Sequence, residues 1–525
     1  MNSRTIKPDE GLNLALEIIG KAHDMGLTNR RPRLLQSYEL EFLMNDLAFL
    51  GIAPKRMHEM LKFFYKSWAD RADMDENWLI TGEECQLHRY LKETLEFQGA
   101  MIEWEAPGVA CALLEANPQL AEALDIDEIT LVDAHLMSRA TQEMCALAAR
   151  GNVSGTAVDE PSVPAAEDYP CAPIEAIADK LETKSASEKT PEKRFFETPQ
   201  EEFAFIGRTV AGALASGMDA RCALVAVPNG AWATGVAQAL REQGIPAAFR
   251  TGDAPLHGDI TSFEASCAAQ TATLLALVAD PSDATAWRCW CGFGVHMAHN
   301  EFFDALWRFG RERKLGFIES LNDLREHGKQ ELDCSNRSFF DVMNRFEMAS
   351  GEVPALEKLR GKALIDALCS HVCPNADAAE RTKETLVAML EPVDEDSASD
   401  LTARLRHAIS MRPWSSKGVR VGCLEDVVDA DTRLLIASGM VNGFTPRPSA
   451  LDPTKTMPDK RDRIIAREAN VLAFACSRCE GVTYVTGFEL IDASLAEKFK
   501  LSVDRISIME GVRVAKVQPS AVLGK

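Results

Sequence analysis

The sequence predicts an α/β protein built on parallel strands and interrupted by large helical insertions. Three observations carry this. An apolar run, Ile129-Thr130-Leu131-Val132, ends on Asp133, as a buried strand delivering a carboxylate at its carboxyl edge does. Residues 223–249 read as strand, loop, helix and strand, with Pro228-Asn229-Gly230 as the loop and Gly244 stopping the helix. After a helical stretch at 286–412, short apolar runs return at 419–421, 434–437 and 482–486. One α/β domain interrupted by helices accounts for 195–525 more simply than a series of independent domains.

Taken in order, residues 1–125 read as almost wholly helical. Residues 40–50 carry apolar side chains at helical spacing, punctuated by Gly51 and Pro54, and 56–68 place Met57, Met60, Leu61, Phe64 and Tyr65 on one face. Such a stripe of Met and aromatic residues is core. Asn117-Pro118 breaks the next helical run at 110–124. Beyond the strand ending at Asp133, Ser138 is placed to cap a helix over 139–150 and Gly151 to close it. A second strand at 153–158 leads into Asp159-Glu160-Pro161. Residues 179–194 turn to Lys, Glu, Ser and Thr, which predicts a solvated linker. Residues 263–279 form an apolar helix ending before Asp280-Pro281.

The chain has 525 residues, enough for roughly three or four domains. No apolar run approaches the roughly 20 residues of a membrane helix, and the first residues lack the apolar segment of a secretory signal. The cytoplasm is the expected location, with no membrane partner. Fourteen cysteines lie scattered, as reduced and mostly buried thiols do. Cys369-Ser370-His371-Val372-Cys373 offers three metal ligands but has no partner cluster to complete a site, and Cys476 and Cys479 read likewise as core thiols. The net charge of −22 opposes nonspecific binding to nucleic acid, so any such contact comes from a local basic track. Phe302, Phe303, Trp307, Arg308, Phe309, Arg311, Arg313 and Lys314 make the most suggestive track, since aromatics and cations together stack and neutralise single strands. The same stretch also reads as an amphipathic helix with a core face and a solvated basic face. Arg30-Arg31-Pro32-Arg33 is equally open to both readings.

The order of pieces is more specific than any one of them. The strand at 223–227, the phrase Gly244-Ile245-Pro246, a helix ending in Asp280-Pro281-Ser282-Asp283, a helical block at 286–412, then Gly439-Met440-Val441-Asn442-Gly443-Phe444-Thr445-Pro446 and the stretch 466–479 follow one another. That order resembles the second motor lobe of the superfamily-one UvrD/Rep-type DNA helicases. Upstream, residues 129–136 are similar to the family's magnesium motif, and Thr156-Ala157-Val158-Asp159-Glu160-Pro161 to the motif that couples nucleotide to DNA. The resemblance implies P-loop NTPase-like (RecA-like) motor lobes with large helical insertions. It divides the chain into an insertion of the first lobe (1–125), a remnant of that lobe (126–178), a linker (179–194), the first part of the second lobe (195–285), a helical insertion (286–412) and the second lobe's return (413–525).

The departures decide what the resemblance implies for chemistry. None of the Gly-Lys pairs, Gly20-Lys21, Gly328-Lys329, Gly361-Lys362 and Gly524-Lys525, belongs to a Gly-x-x-x-x-Gly-Lys-Ser/Thr phosphate loop, and the sequence begins downstream of where that loop is expected. The family's Asp-Glu becomes Asp133-Ala134 and its Gln falls at Leu136. Pro228 stands where an Arg is expected, and 419–429 lack the Lys-Gly-Leu-Glu phrase and its His. Ser477-Arg478 keeps the family's Thr-Arg, whose arginine contacts the γ-phosphate.

The resemblance therefore implies a helicase-related protein of DNA repair or recombination without ATPase activity of its own. It acts as a DNA- or partner-binding subunit, on single-stranded or junction DNA, beside a protein that supplies ATPase or nuclease activity. Residual ATP and magnesium binding falls to Asp133 as metal ligand, Asp159 toward the nucleotide and Arg478 as arginine finger, and DNA contact to Trp307, Arg308 and Arg311. Two other readings stay open: a working helicase whose phosphate loop lies in a separate segment, and a scaffold that kept the fold and lost DNA.

Overall fold

The strand expected before Asp133 forms as Glu128–Leu131, and it does not stand first in its sheet. In this computed structural model the described residues are 2–8, 10–28, 31–158, 174–184, 190–250, 256–294, 296–329, 332–411, 414–415, 417–429, 431–454, 456–509 and 511–524. They divide into two compact units. Met1–Gly155, Pro173–Lys180 and Thr251–Arg412 make the first, and Thr156–Ala172, Leu181–Arg250 and Pro413–Lys525 the second.

In the first unit a strand at Ser3–Ile6 (β1) pairs in parallel with Glu128–Leu131 (β2), Ser3 opposite Glu128 and Ile6 opposite Leu131. This adds one strand to a stretch, 1–125, that is otherwise almost wholly helical as expected. A strand of four residues carries too short an apolar run to register by periodicity. The next strand, Val153–Val158 (β3), pairs with β2 in parallel through Ile129 and Val153. Gly155, at φ +148°, lets the two strands approach closely, for a Cβ there would stand 2.0 Å from the Leu131 carbonyl oxygen.

The rest of the unit is helical and includes, among the described residues, two apolar clusters built by helices. The Met and aromatic stripe of the helix Pro54–Ala69 packs with Leu43, Leu87, Leu91 and Leu95 in one, as expected. The other surrounds the helix Cys267–Ala279, which is buried on all sides among Phe293, Phe302, Leu321, Val342 and Leu368. A helix without a polar face needs apolar neighbours all round, and other helices supply them. The helix Cys267–Ala279, ahead of residue 286, thus packs with the helices that follow it, in the same compact unit as 286–411.

The second unit is organised by six parallel strands. They are Glu192–Phe196 (β5), Ala223–Ala226 (β6), Ala247–Phe249 (β7), Val419–Gly422 (β8), Leu434–Ala437 (β9) and Val482–Phe488 (β10), in the order β5-β10-β9-β6-β8-β7. All five pairings are parallel. The helices Pro199–Ala215 and Gly230–Glu242 pack Ile206, Val210, Val236 and Leu240 against Val225, Val421 and Ile436. A three-stranded antiparallel sheet of Leu490–Asp492 (β11), Val503–Met509 (β12) and Val512–Val517 (β13) follows, joined to the first by a core around Trp232, Phe444 and Phe488.

The expected linker 179–194 is not uniformly a linker. It contains Leu181–Lys184 (β4), next to β3 in a four-stranded sheet ordered β1-β2-β3-β4, and most of β5, while 185–189 lie outside the described residues. Residues Glu192 to Arg194 are exposed, as the composition implied. The backbone ladder to β10 still orders them, and charge is the usual dress of an edge strand. The fold is thus α/β with parallel sheets and many helices. Among the described residues, no helix is long and apolar enough to cross a membrane.

Candidate functional site

Asp133 stands two residues beyond the end of β2, with a left-handed backbone (φ 54°), and is 1 % exposed. Ala134 and His135 beside it are also buried. The 3₁₀ turn Ala134–Leu136 comes before the helix Arg139–Ala148, which Ser138 caps by accepting from the Thr141 amide at 3.1 Å. Gly151 closes the helix, its amide donating to the Ala146 carbonyl at 2.7 Å. The local geometry matches the sequence reading, but the carboxylate is turned into the protein rather than offered to a solvated ion. Asp159 lies outside the described residues.

Arg478 is half-buried at the last position of the helix Pro458–Arg478 in the second unit. The Glu480 amide bonds the Thr432 carbonyl at 2.8 Å and the Val482 amide that of Arg433 at 2.9 Å, so Arg478 stands near the amino edge of the six-stranded sheet. In the first unit, the helix Glu301–Arg313 buries Phe302, Phe303 and Phe309. Arg308 bonds Asp304, and Arg311 lies 2.9 Å from Glu93. Trp307 packs against Tyr90 and Phe49, with centroids 5.3 and 6.2 Å away. The basic face of this track is thus already matched by acids. Cys369 and Cys476 are buried and their thiols are pushed up to about 12 by that burial, leaving them protonated. Among the described residues no three His, Cys, Asp or Glu side chains are grouped to hold a metal.

The second unit offers a different place. In an open parallel sheet ligands sit outside the carboxyl ends of the strands, where the chain's direction of travel across the sheet reverses. Here β6 has β8 on one side and β9 on the other. Beyond the ends of these three strands lies a cavity of about 500 Å³, lined by Val227 and Pro228 after β6, Cys423 and Leu424 after β8, and Ser438 and Met440 after β9.

Its far wall comes from the loop bearing Thr445 and Arg447 and from the helix Pro458–Arg478. That helix presents Ile464, Arg467, Glu468 and Val471, residues spaced to share one face. Arg447 is exposed and Arg467 half-buried, and neither forms an ion pair among the described residues. Arg208, Arg241 and Arg433 are likewise without an ion pair among the described residues, while Arg33, Arg288, Arg308, Arg311, Arg404 and Arg406 are paired, so what sets Arg447 and Arg467 apart is that both line one cavity. Guanidinium groups present planar forks of donors that suit phosphate and carboxylate oxygens. The Thr445 hydroxyl and an apolar side complete a cavity in which the two guanidinium groups outnumber the one acid, Glu468, and which suits an anionic group on a partly apolar ligand.

No family model matches the chain, and no curated protein is similar to it. In the sequence Arg467 falls within the stretch 466–479 and Arg447 directly follows Gly439–Pro446, and neither stood out there as a candidate. Prolines on both sides of Arg447, which stiffen the loop that carries it, were the available signal.

Proposed function

We propose that this chain is a helicase-related protein of DNA repair or recombination that binds single-stranded DNA without hydrolysing ATP on its own. Its two α/β units correspond, in this reading, to degenerate RecA-like motor lobes of the UvrD/Rep kind. The observation that carries the proposal is the pair of arginines without ion-pair partners, Arg447 and Arg467, in one cavity at the carboxyl edge of a parallel sheet. They supply the local basic site that an overall charge of −22 otherwise denies to DNA. The cavity takes backbone phosphates, and its apolar side takes the flanking sugar or base. Loss of catalysis fits the burial of Asp133 and the alanine at position 134. Phosphoryl transfer depends on charge neutralisation and positioning, and each missing donor costs on the order of a hundredfold.

Fluorescence anisotropy with a labelled oligothymidine tests this. Two phosphate contacts on a single strand imply a salt slope of about 1.4, hence a roughly sevenfold weakening between 50 and 200 mM salt. Binding that ignores salt, or no binding at 50 mM, sinks the proposal and favours the scaffold reading.

A further inference from the structure

Glu202 lies in the first turn of the helix Pro199–Ala215, where an acid ordinarily faces water and complements the positive end of the helix. Here it is 0 % exposed. Its Oε1 accepts from the Ser438 hydroxyl at 2.9 Å, the Gly439 amide at 2.8 Å and the Thr486 hydroxyl at 2.6 Å. Ser438 also accepts from the Trp232 indole N–H at 3.1 Å, and its own amide donates to the Ala226 carbonyl at 2.9 Å. The Met440 amide donates to the Thr486 carbonyl at 2.9 Å. Residues 438–440 are therefore fastened to β6, β10 and two helices, and Ser438 and Met440 among them line the arginine cavity. Gly439 between them has φ +69°, and a Cβ there would meet Pro228 at 3.0 Å.

The other oxygen of Glu202, Oε2, has no hydrogen-bond partner among the described residues. Burying a carboxyl with that oxygen unused opposes folding. Packing alone therefore gives no reason for an acid here. What this side chain contributes is one acceptor on which donors from the ends of β9 and β10 converge.

We infer that Glu202 is a positioning residue for the carboxyl-edge cavity, fixing residues 438–440 so that its floor is set before an anion arrives. A preset floor spares the ligand the cost of ordering it. The inference rests on the phosphate-binding reading above for its purpose, but not for its geometry.

Amide hydrogen exchange and oligothymidine binding, both on the full chain, test it. Glu202→Ala is expected to raise exchange across 438–444 by about tenfold or more while leaving the β9 residues 434–437 protected, and to weaken oligothymidine binding at least about fivefold. Glu202→Gln keeps an oxygen at the convergence point and is expected to hold both within about twofold of wild type. Should Glu202→Ala fail to fold, Ser438→Ala removes one donor and is expected to loosen the same segment. Unchanged exchange in the variant tested, or Glu202→Gln as loose as Glu202→Ala, overturns the inference. If exchange responds as expected while wild type does not hold the oligonucleotide, the positioning role stands and the phosphate reading falls.

Discussion

The Arg33 guanidinium lies 2.9 Å from the Asp283 carboxylate, 250 positions further along the chain. Both are buried, and the same arginine bonds Glu39 at 2.6 Å while Arg406 bonds Asp283 at 2.7 Å. Two cations and two acids thus close on one another inside the first unit. Removing one member strands a buried charge, so Arg33→Ala is expected to destabilise by about 3–5 kcal/mol. The Arg33→Ala/Asp283→Ala pair should lose less than the sum of the single changes. Urea unfolding of the three variants measures both.

The same cluster sets a pH dependence. Burial opposes ionisation of Asp283, but Arg33 and Arg406 outweigh it and hold the carboxyl below its ordinary 3.8. A depressed folded value means that this stabilisation is complete above 3.8 and is lost as pH falls through the lower folded value. Unfolding midpoints followed below pH 4 should drop less steeply in Asp283→Asn than in wild type.

Arg447→Ala and Arg467→Ala separate contact from field. Each is expected to flatten the salt slope of oligothymidine binding by roughly 0.7, the share of one phosphate on a single strand. Arg308→Ala and Arg311→Ala, whose cations are matched by Asp304 and Glu93, should change it little. Anisotropy titrations at several salt concentrations compare the four.

Turnover of ATP with saturating single-stranded DNA is expected to stay below about one per second, the low end for typical enzymes. Asp133→Asn should leave that rate unchanged, because the buried carboxylate has no catalytic glutamate beside it. A coupled phosphate-release assay reads both.

Thiol footprinting gives an internal control. Among the described cysteines, Cys85 and Cys423 are the exposed ones, and only Cys423 lines the cavity. Bound oligothymidine should slow iodoacetamide labelling of Cys423 and spare Cys85, as peptide mass spectrometry can show.

Much of this fold was legible in the sequence because the buried elements announce themselves. The strands β3, β6, β8, β9 and β10 fall where short apolar runs stand between turn residues, and Ser138 and Gly151 bound their helix as cap chemistry requires. What escaped was held by partners rather than composition. Strand β1 is four residues long, and β5 owes its order to β10's backbone. The apolar helix Cys267–Ala279 was read correctly as a helix, but nothing local says that its surroundings are helices rather than a sheet. The site divides in the same way. An arginine's type is in the sequence, but its freedom from an acid is a tertiary fact. Arg308 and Arg311 therefore looked more available than Arg447 and Arg467.

Strands β7 and β8 are hydrogen-bonded neighbours, and the Arg250–Asp426 bond just beyond them, at 3.0 Å, joins residues 176 positions apart. Between those strands the chain supplies the last segment of the first unit. As synthesis proceeds, that unit has its final residues once 412 has emerged, while β5, β6 and β7 still await β8, β9 and β10. Loop closure becomes only slowly costlier with length, so the long detour is no bar to the final pairing, but it fixes a sequence of events. The unit bearing Asp133 can complete itself first, and the arginine cavity is among the last parts of the molecule to exist.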